Sequence, residues 1–233
     1  MVTLALSSSS SQGSIALAKD AKVVFSHSWQ KQSSHSEIVT SVLSDAFSEV
    51  KMTATDIDLF VCTQGPGSFT GLRVGISVVR TLAQIKNRPI IGIDDPLAIA
   101  LNAPTSDLPH LVLIDAQKNK VFCGIYRPQI HKVETLLTPT LLSLKDVEDL
   151  LVEPHYIALG ETDSFKKFFS PSSQEKLLSL PEVSPYPLAE IFLSYVLLNR
   201  SDFATQSWQQ LLPKYLRASA AEEVAAEKIS KNK

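Results

Sequence analysis

The stretch IDLFVCTQGPGSFTGLRVGISVVRTLAQIK, residues 57–86, decides the fold of this chain. It begins with a nearly all-apolar run of strand length (57–63), which is typical of a strand that is covered on both faces. A loop rich in glycine follows, and apolar residues then recur at helical spacing from 68 to 86. The stretch therefore predicts a buried strand, a tight turn and a long amphipathic helix.

The loop concentrates glycine in a chain that has only eight glycines. Gly65 and Gly67 allow backbone angles that residues with a β-carbon avoid, and Pro66 fixes one dihedral angle between them. Ser68 or Thr70 is placed to cap the helix, because its hydroxyl oxygen can accept a bond from a free backbone N–H. Such a turn at a helix N-terminus is also a favourable place for an anion.

The loop does not match the standard phosphate-binding motifs. A P-loop has Gly-Lys-Ser/Thr after four intervening residues, but Thr70 stands five residues after Gly65 and no lysine follows. The dinucleotide fingerprint needs a glycine at that position, and here it comes one residue late, at Gly71. Two interpretations stay open, a structural turn into a capped helix or a weak contact with an anion or nucleotide. The loop residues for that contact are Gly65, Gly67, Ser68, Thr70, Gly71 and Arg73.

Small residues line one face of the predicted helix. Gly71 and Gly75 are four residues apart, a spacing that lets another backbone approach closely, either within the fold or from a partner. Arg73 and Arg80 lie two turns apart on a neighbouring flank, for which a solvated face is the simple interpretation.

The first hundred residues alternate strands and helices. Three short β-rich runs predict an opening meander, at 2–6, 14–18 and 22–26. A helix is predicted over 34–50, where Ser34 and Glu37 have the spacing of a capping box. With the strands at 57–63 and 88–94 the order is β-β-β-α-β-α-β, which predicts a mixed sheet with helices packed on it.

The second half repeats this order after the proline-rich stretch 101–109. Its predicted strands lie at 110–116, 120–126, 131–137 and 155–160, and its predicted helices at 143–153 and 187–199. We therefore predict an α/β protein with an N-terminal lobe (1–104), a C-terminal lobe (105–217) and a flexible charged tail (218–233).

The composition is that of a globular protein with an apolar core. Of the 233 residues 44% are hydrophobic, and a net charge of −2 gives no general attraction to nucleic acid. Cys62 and Cys123 lie in apolar, strand-like runs, so we expect a reduced, buried pair rather than a disulfide. No apolar run approaches the roughly 20 residues of a membrane span, and the first residues do not resemble a signal peptide. We expect no membrane contact and a cytoplasmic protein.

The sequence contains no constellation that is typical of catalysis. No two of the five histidines have the spacing of a helical metal site, and no G-x-S-x-G motif occurs. Asp94, Asp95 and Asp115 lie near strand ends. The simple interpretation is that they stabilise a turn or cap a helix. For Asp115 the alternative is that it binds a ligand in a cleft. We therefore expect no catalytic residue and no metal site, and favour a scaffold or binding role.

The segment GPGSFTGLRVGIS (65–77) resembles the signature of the bacterial TsaB family, also called YeaZ. Further segments resemble that family in the same order, namely SHSEIV (34–39), IIGIDDPLAIA (90–100), LIDAQKNKVFCGIY (113–126) and PKYLR (213–217). The resemblance extends over about residues 2–217. It implies two lobes of the actin, Hsp70 and sugar-kinase (ASKHA) type.

The resemblance also implies a function. Members of the family help to transfer threonylcarbamoyl to the adenosine beside the anticodon of tRNA. They do so as the partner of the transferase subunit TsaD, which holds the metal, and an ATPase subunit, TsaE, completes the assembly. This chain is then expected to be a non-catalytic scaffold or activator that contacts tRNA only through the complex. No cofactor beyond weak ATP or ADP binding is implied.

Family members pair with TsaD through their first helices, which correspond here to about 34–50 and 68–86. The implied interface residues are His35, Glu37, Val39, Val42, Leu72, Gly75, Ile76 and Val79. Self-association as a homodimer through the same helices is a further expectation.

One position departs from the family pattern. The family usually has aspartate after the first strand, where this chain has Ser7. Serine does not supply the charge that metal–phosphate chemistry uses, which argues against ATP chemistry by this chain. The alternative function is a nucleotide-binding enzyme of the sugar-kinase type, which would use the turn 7–11 and the glycine loop. A peptidase is disfavoured because metal ligands and a nucleophile are missing.

Overall fold

The fold is described from a computed structural model, over residues 1–30, 35–130 and 132–217, with the backbone alone for 35–37. The strands are β1 (Val2–Ser7), β2 (Gln12–Lys19), β3 (Lys22–Gln30), β4 (Leu59–Thr63), β5 (Ile90–Ile93), β6 (His110–Asp115), β7 (Lys120–Pro128), β8 (Val133–Ser143), β9 (Tyr156–Gly160) and β10 (Leu177–Ser179). The α-helices are α1 (His35–Val50), α2 (Phe69–Ile85), α3 (Asp95–Ala100), α4 (Leu144–Asp149), α5 (Thr162–Lys166), α6 (Pro171–Glu175) and α7 (Ala189–Leu198).

The strands form two five-stranded sheets with the same topology. The first sheet has the order β3-β2-β1-β4-β5, and the second, read in the matching direction, has β8-β7-β6-β9-β10. In each sheet a three-stranded antiparallel meander is extended by two strands that run parallel to its first strand. The predicted α/β class, with mixed sheets and packed helices, is therefore confirmed.

The first sheet carries helices on both faces because its central strands are apolar on both sides. Side chains alternate across a strand, so Leu4 and Leu6 of β1 pack with α1 and α2, whereas Ala5 packs with α7. Ala16 of β2 lies on the same face as Ala5, and these small side chains leave room for Phe192 of α7. The predicted boundaries of the two lobes, 1–104 and 105–217, stay a prediction.

Helix α3 lies between the two sheets. Ala98 packs in the core of the first sheet, while Ile99 and Ala100 pack with Val112 of β6. Pro96 suits the first turn of this helix, because the N–H that proline lacks has no partner within a helix there. The helix thereby places its first residues where the two sheets meet.

The second lobe departs from the predicted spans. β8 extends to Ser143, beyond the predicted 131–137, and α4 ends at Asp149 rather than 153. β8 is an edge strand with two register irregularities against β7, which is the setting in which a strand tolerates a proline such as Pro139. Ser143 then ends the strand by forming a capping box with Asp146. Periodicity alone does not predict these long-range effects.

Some predictions fall on residues or side chains outside the described part of the chain. These are the capping box of Ser34 and Glu37, the histidine at 131 and the flexible tail at 218–233. Within the described ranges, no helix is both long and apolar enough to cross a lipid bilayer.

Candidate functional site

A cleft with a volume of about 520 Å³ lies between the two sheets. Asp95 and Ile99 of α3 form its buried floor. The first lobe contributes 9–11 of the serine turn (residues 8–11) and the loop 66–70. The second lobe contributes 114–117, Phe122 and Glu161. Residues 185–187 and 214–217 also line the cleft.

The glycine loop forms the predicted turn from β4 into α2. Gly65 has φ +111°, and a Cβ at this position would lie 2.8 Å from the carbonyl oxygen of Lys214. Glycine is required there both for its backbone angle and for the close approach of another backbone. Ser68 is the N-cap of α2, and its Oγ accepts a hydrogen bond from the N–H of Gly71 at 3.3 Å. Of the two predicted caps, Ser68 is confirmed and Thr70 lies inside the first turn.

The glycine face of α2 packs on the serine turn of the same chain. A Cβ at Gly71 would overlap the carbonyl oxygen of Ser8, and one at Gly75 would lie 2.5 Å from the Ser8 hydroxyl. The Ser8 hydroxyl donates to the Gly71 carbonyl at 2.8 Å, and the N–H of Ser68 donates to the Ser9 carbonyl at 2.7 Å. The close approach predicted for these glycines is therefore made within the fold.

A buried polar network lies beneath the loop and centres on Asp95. The Thr63 hydroxyl donates to Ser7 at 3.0 Å, and the Ser7 and Ser9 hydroxyls lie 3.2 Å apart. The Ser9 hydroxyl donates to one carboxyl oxygen of Asp95, and the N–H of Gly65 donates to the other at 2.7 Å. Burial raises the pKa of Asp95 to about 7, although the bonds from Ser9 and Gly65 oppose that rise.

Asp94 is the N-cap residue of α3, but its side chain does not make the capping bond that the simple interpretation predicts. Asp95 is 1% exposed and joins the serine turn to the glycine loop. Asp94 accepts from Lys214 Nζ at 2.7 Å and from Gln64 at 3.2 Å. The sequence signal for these roles is only that both residues follow a buried strand.

The second-lobe wall is the hairpin between β6 and β7. The N–H of Asp115 donates to Glu161 at 2.6 Å, and Asp115 Oδ1 accepts from the N–H of Gln117 at 2.7 Å. Asp115 thus lines the cleft, as the alternative interpretation supposed, while one of its oxygens stabilises the turn.

Both cysteine thiols are buried and hold their protons. Cys62 and Cys123 are free and buried, and burial raises the pKa of the Cys123 thiol to about 12 and that of Cys62 still higher. In the part of the chain that the structure describes, no three His, Cys, Asp or Glu side chains are grouped so as to hold a metal ion.

The residues predicted for an anion contact do come together at the loop, but several of their donors are used internally. The N–H groups of Gly65, Ser68 and Gly71 donate to Asp95, the Ser9 carbonyl and the Ser68 hydroxyl. Arg73 is exposed, and its guanidinium carbon lies 4.0 Å from the ring centre of Phe69. Contact of this loop with an anion stays a prediction.

The residues predicted for a partner interface lie largely in this chain's own core. The buried ones are Val39, Val42, Leu72, Gly75, Ile76 and Val79. Of His35 and Glu37 only the backbone, at the start of α1, is described. A buried side chain is not available to a partner, so the predicted surface on α1 and α2 must use their exposed residues. The stripe that gives a helix its periodicity packs on the chain's own core first.

Comparisons with known proteins agree with this architecture. The TsaD family, described as tRNA N6-adenosine threonylcarbamoyltransferase, matches residues 29–226. The tRNA threonylcarbamoyladenosine biosynthesis protein TsaB of Bacillus subtilis is 26% identical over 169 residues, which cover 72% of this chain and 74% of that protein. The tRNA N6-adenosine threonylcarbamoyltransferase of Desulfotalea psychrophila is 38% identical over 84 residues, 34% of this chain but only 24% of that protein.

A solved structure matches nearly the whole fold. It is a Pseudomonas aeruginosa protein described as similar to the peptidase YEAZ, and it superposes with a TM-score of 0.81 at 25% identity. The match covers 93% of this chain and 99% of that one. The predicted two-lobed fold is thereby confirmed.

Proposed function

This chain belongs to the family described as tRNA N6-adenosine threonylcarbamoyltransferase and, within it, to the TsaB (YeaZ) proteins. From that premise we propose that it is a non-catalytic subunit of the complex that transfers threonylcarbamoyl to tRNA. It acts by binding a TsaD-type transferase. The observation that carries this proposal is a half-exposed apolar face on α1 and α2.

This α1–α2 face consists of apolar side chains that pack on the core but keep part of their surface accessible. They are Ile38, Phe47 and Val50 of α1 and Val74, Val78 and Leu82 of α2. Ile85, at the end of α2, is 54% exposed. Apolar side chains of both helices thus remain partly accessible, and where such side chains form one patch they mark a protein–protein contact.

The exposed charges of the two helices differ in sign. Asp45 and Glu49 are exposed on α1, whereas Arg73 is exposed and Arg80 half-exposed on α2. A partner with two similar helices in the opposite order would place its basic helix against the acidic residues of α1 and its acidic helix against the basic residues of α2. This pairing of charges favours one specific register. A transferase with a stretch 38% identical to this chain is a partner that could carry such a pair of helices.

The proposal also includes self-association of this chain and the other members of the complex. A second copy of this chain would meet the same face with complementary charges, so a homodimer competes with the transferase for it. A TsaE-type ATPase joins the complex, and tRNA is reached only through it. Because the substrate is tRNA, we place the complex in the cytoplasm, with no resident cofactor on this chain.

The experiment is reconstitution with a TsaD-type transferase, a TsaE-type ATPase and the enzyme that makes threonylcarbamoyl-adenylate. We expect tRNA modification to require this chain, and modification at full rate without it would contradict the proposal. The double variant Ile85→Glu with Arg80→Glu should weaken co-purification with the transferase at least about tenfold.

The matched control is Ile130→Glu, the same change at an isoleucine that is 80% exposed in the second lobe. It should bind the transferase like wild type. Equal binding by all three proteins would show that the α1–α2 face is not the contact surface.

Nucleotide binding is the second candidate, because the volume of the cleft is in the range of small-molecule sites. The loop fits a phosphate poorly, since three of its N–H groups are engaged and the Asp95 carboxyl lies beside it. Calorimetric titration with ATP and magnesium separates the candidates: binding at micromolar concentration would favour the enzyme interpretation.

A further inference from the structure

The segment Leu211–Arg217, here called the C-terminal strap, is irregular in conformation yet firmly attached to the first lobe. Leu211 is buried in the core of the first sheet. The backbone N–H of Lys214 donates to the Gln64 carbonyl at 2.7 Å, and its Nζ forms an ion pair with Asp94 at 2.7 Å. The strap is therefore held to the glycine loop and to the start of α3.

Tyr215 adds a third attachment to the first lobe. Its ring stacks on Phe69 with centres 4.4 Å apart and 23° between the planes. Its hydroxyl accepts a hydrogen bond from Arg73 Nε at 2.9 Å. The strap thus contacts the first turns of α2, where the glycine loop ends.

The far end of the strap crosses to the second lobe. Arg217 Nη1 donates to the carbonyl oxygen of Ala116, in the hairpin between β6 and β7. Beyond Ala116 the hairpin contains three successive left-handed residues, Gln117, Lys118 and Asn119, with φ of +61°, +52° and +59°. Non-glycine residues adopt this conformation at an energetic cost, so the hairpin depends on its surrounding bonds.

The strap lines the same cleft as α3, from Lys214 beside Asp94 at the start of that helix to Arg217 on the β6–β7 hairpin. Asp95 and Ile99 of α3 form the buried floor, whereas Tyr215 of the strap is 41% exposed at the rim. α3 packs on both sheets, so it is the natural axis about which they can separate. A bond that joins elements of the two lobes across the cleft restrains such a movement.

We propose that the C-terminal strap is a latch between the two lobes, in which Arg217 holds the β6–β7 hairpin against the first lobe and so sets the opening of the cleft. Release of Arg217 frees the hairpin and widens the cleft, while the first-lobe attachments of the strap stay in place. The latch operates in the chain alone, whether or not the chain binds a transferase.

Hydrogen exchange of the full chain tests the latch. In Arg217→Ala we expect hydrogen exchange in the peptide that covers 115–121 to become about tenfold faster, because a hydrogen bond from a charged group is lost. Exchange in α2 should stay unchanged. Arg80→Ala, which alters a half-exposed arginine of α2, is the matched control and should leave 115–121 as in wild type. Unchanged exchange at 115–121 in Arg217→Ala would overturn the proposal.

A distance measurement separates the latch from a local contact. Spin labels on Ser11→Cys and Lys120→Cys report across the cleft, and both positions are exposed whereas Cys62 and Cys123 are buried. With Arg217→Ala added, the distance distribution should broaden toward longer values. Faster exchange of the hairpin with an unchanged distribution would limit Arg217 to a local contact and refute the latch.

Discussion

Gly65 and Asp95 exchange two hydrogen bonds: the N–H of Gly65 donates to the Asp95 carboxyl at 2.7 Å, and the N–H of Asp95 donates to the Gly65 carbonyl at 3.0 Å. Ser9 donates to the same carboxyl. One side chain thereby joins the serine turn, the glycine loop and α3, the three elements at the base of the cleft.

Asp95→Asn should remove a pH dependence from the stability of the fold. Burial raises the folded-state pKa of Asp95 to about 7 from 3.8, so the folded chain holds the proton more tightly than the unfolded chain. Its stabilising contribution is present below about pH 3.8 and is lost as pH rises toward about 7. Asparagine is neutral throughout, so the stability of the variant should fall less than that of wild type as pH rises from about 5 to about 8.

Urea unfolding of both proteins between about pH 5 and pH 8 measures this difference. Asp45→Asn, at an exposed position of α1, is the control and should follow wild type. Identical pH slopes for wild type and Asp95→Asn would show that Asp95 does not titrate in this window.

His110 should act in the opposite direction. It is buried, its Nδ1 bonds the Ala100 carbonyl at 3.0 Å, and its Nε2 lacks a hydrogen-bond partner among the described residues. Burial lowers the pKa of His110 below 6.5, so the neutral form is stabilised above about pH 6.5 and stability is lost as pH falls below that value.

His110→Asn keeps a donor for the Ala100 carbonyl and removes the titration. We expect thermal unfolding of this variant to be flatter than that of wild type between about pH 6.5 and pH 5. His27→Asn changes an exposed histidine and should reproduce the wild-type profile. Equal acid sensitivity of His110→Asn and wild type would assign the effect to other groups.

The sequence predicts the elements of this fold better than it predicts their contacts. The strand, turn and helix around Gly65 have local signals, namely an apolar run, glycines and helical spacing, and the structure confirms each of them. The repeated β-β-β-α-β-α order likewise follows from local periodicity. Short elements such as α3 and β10 are not predicted, because their six and three residues are too few to show a periodic pattern.

The site depends on residues that are far apart in the chain. Ser9 and Asp95 are 86 positions apart, and Arg73 and Tyr215 are 142 apart. No local pattern joins such pairs. The apolar stripes of α1 and α2 follow from the spacing of their residues, but a stripe does not show whether it packs on its own core or on a partner.

Gly71→Ala tests the packing of α2 on the serine turn. In an open helix this change stabilises by roughly 1 kcal/mol, because alanine is the better helix former. Here the new Cβ would overlap the Ser8 carbonyl, so we expect a loss of about 2 to 3 kcal/mol in urea unfolding. Ser77→Ala, on the exposed side of α2, is the control and should change stability by less than about 0.5 kcal/mol. A stabilised Gly71→Ala would contradict the close approach.

Val39→Glu separates the core of α1 from its outer surface. From the sequence alone, Val39→Glu or Gly75→Arg would be chosen to disrupt a partner contact while the monomer stays folded. Val39 is only 1% exposed, so a glutamate there must bury a charge, and we expect a loss of about 4 kcal/mol or more. Ser41→Glu, two positions further and exposed, should keep the wild-type melting temperature within about 2 °C. A cooperative, wild-type melting curve for Val39→Glu would place this side chain on the surface and restore it as an interface residue.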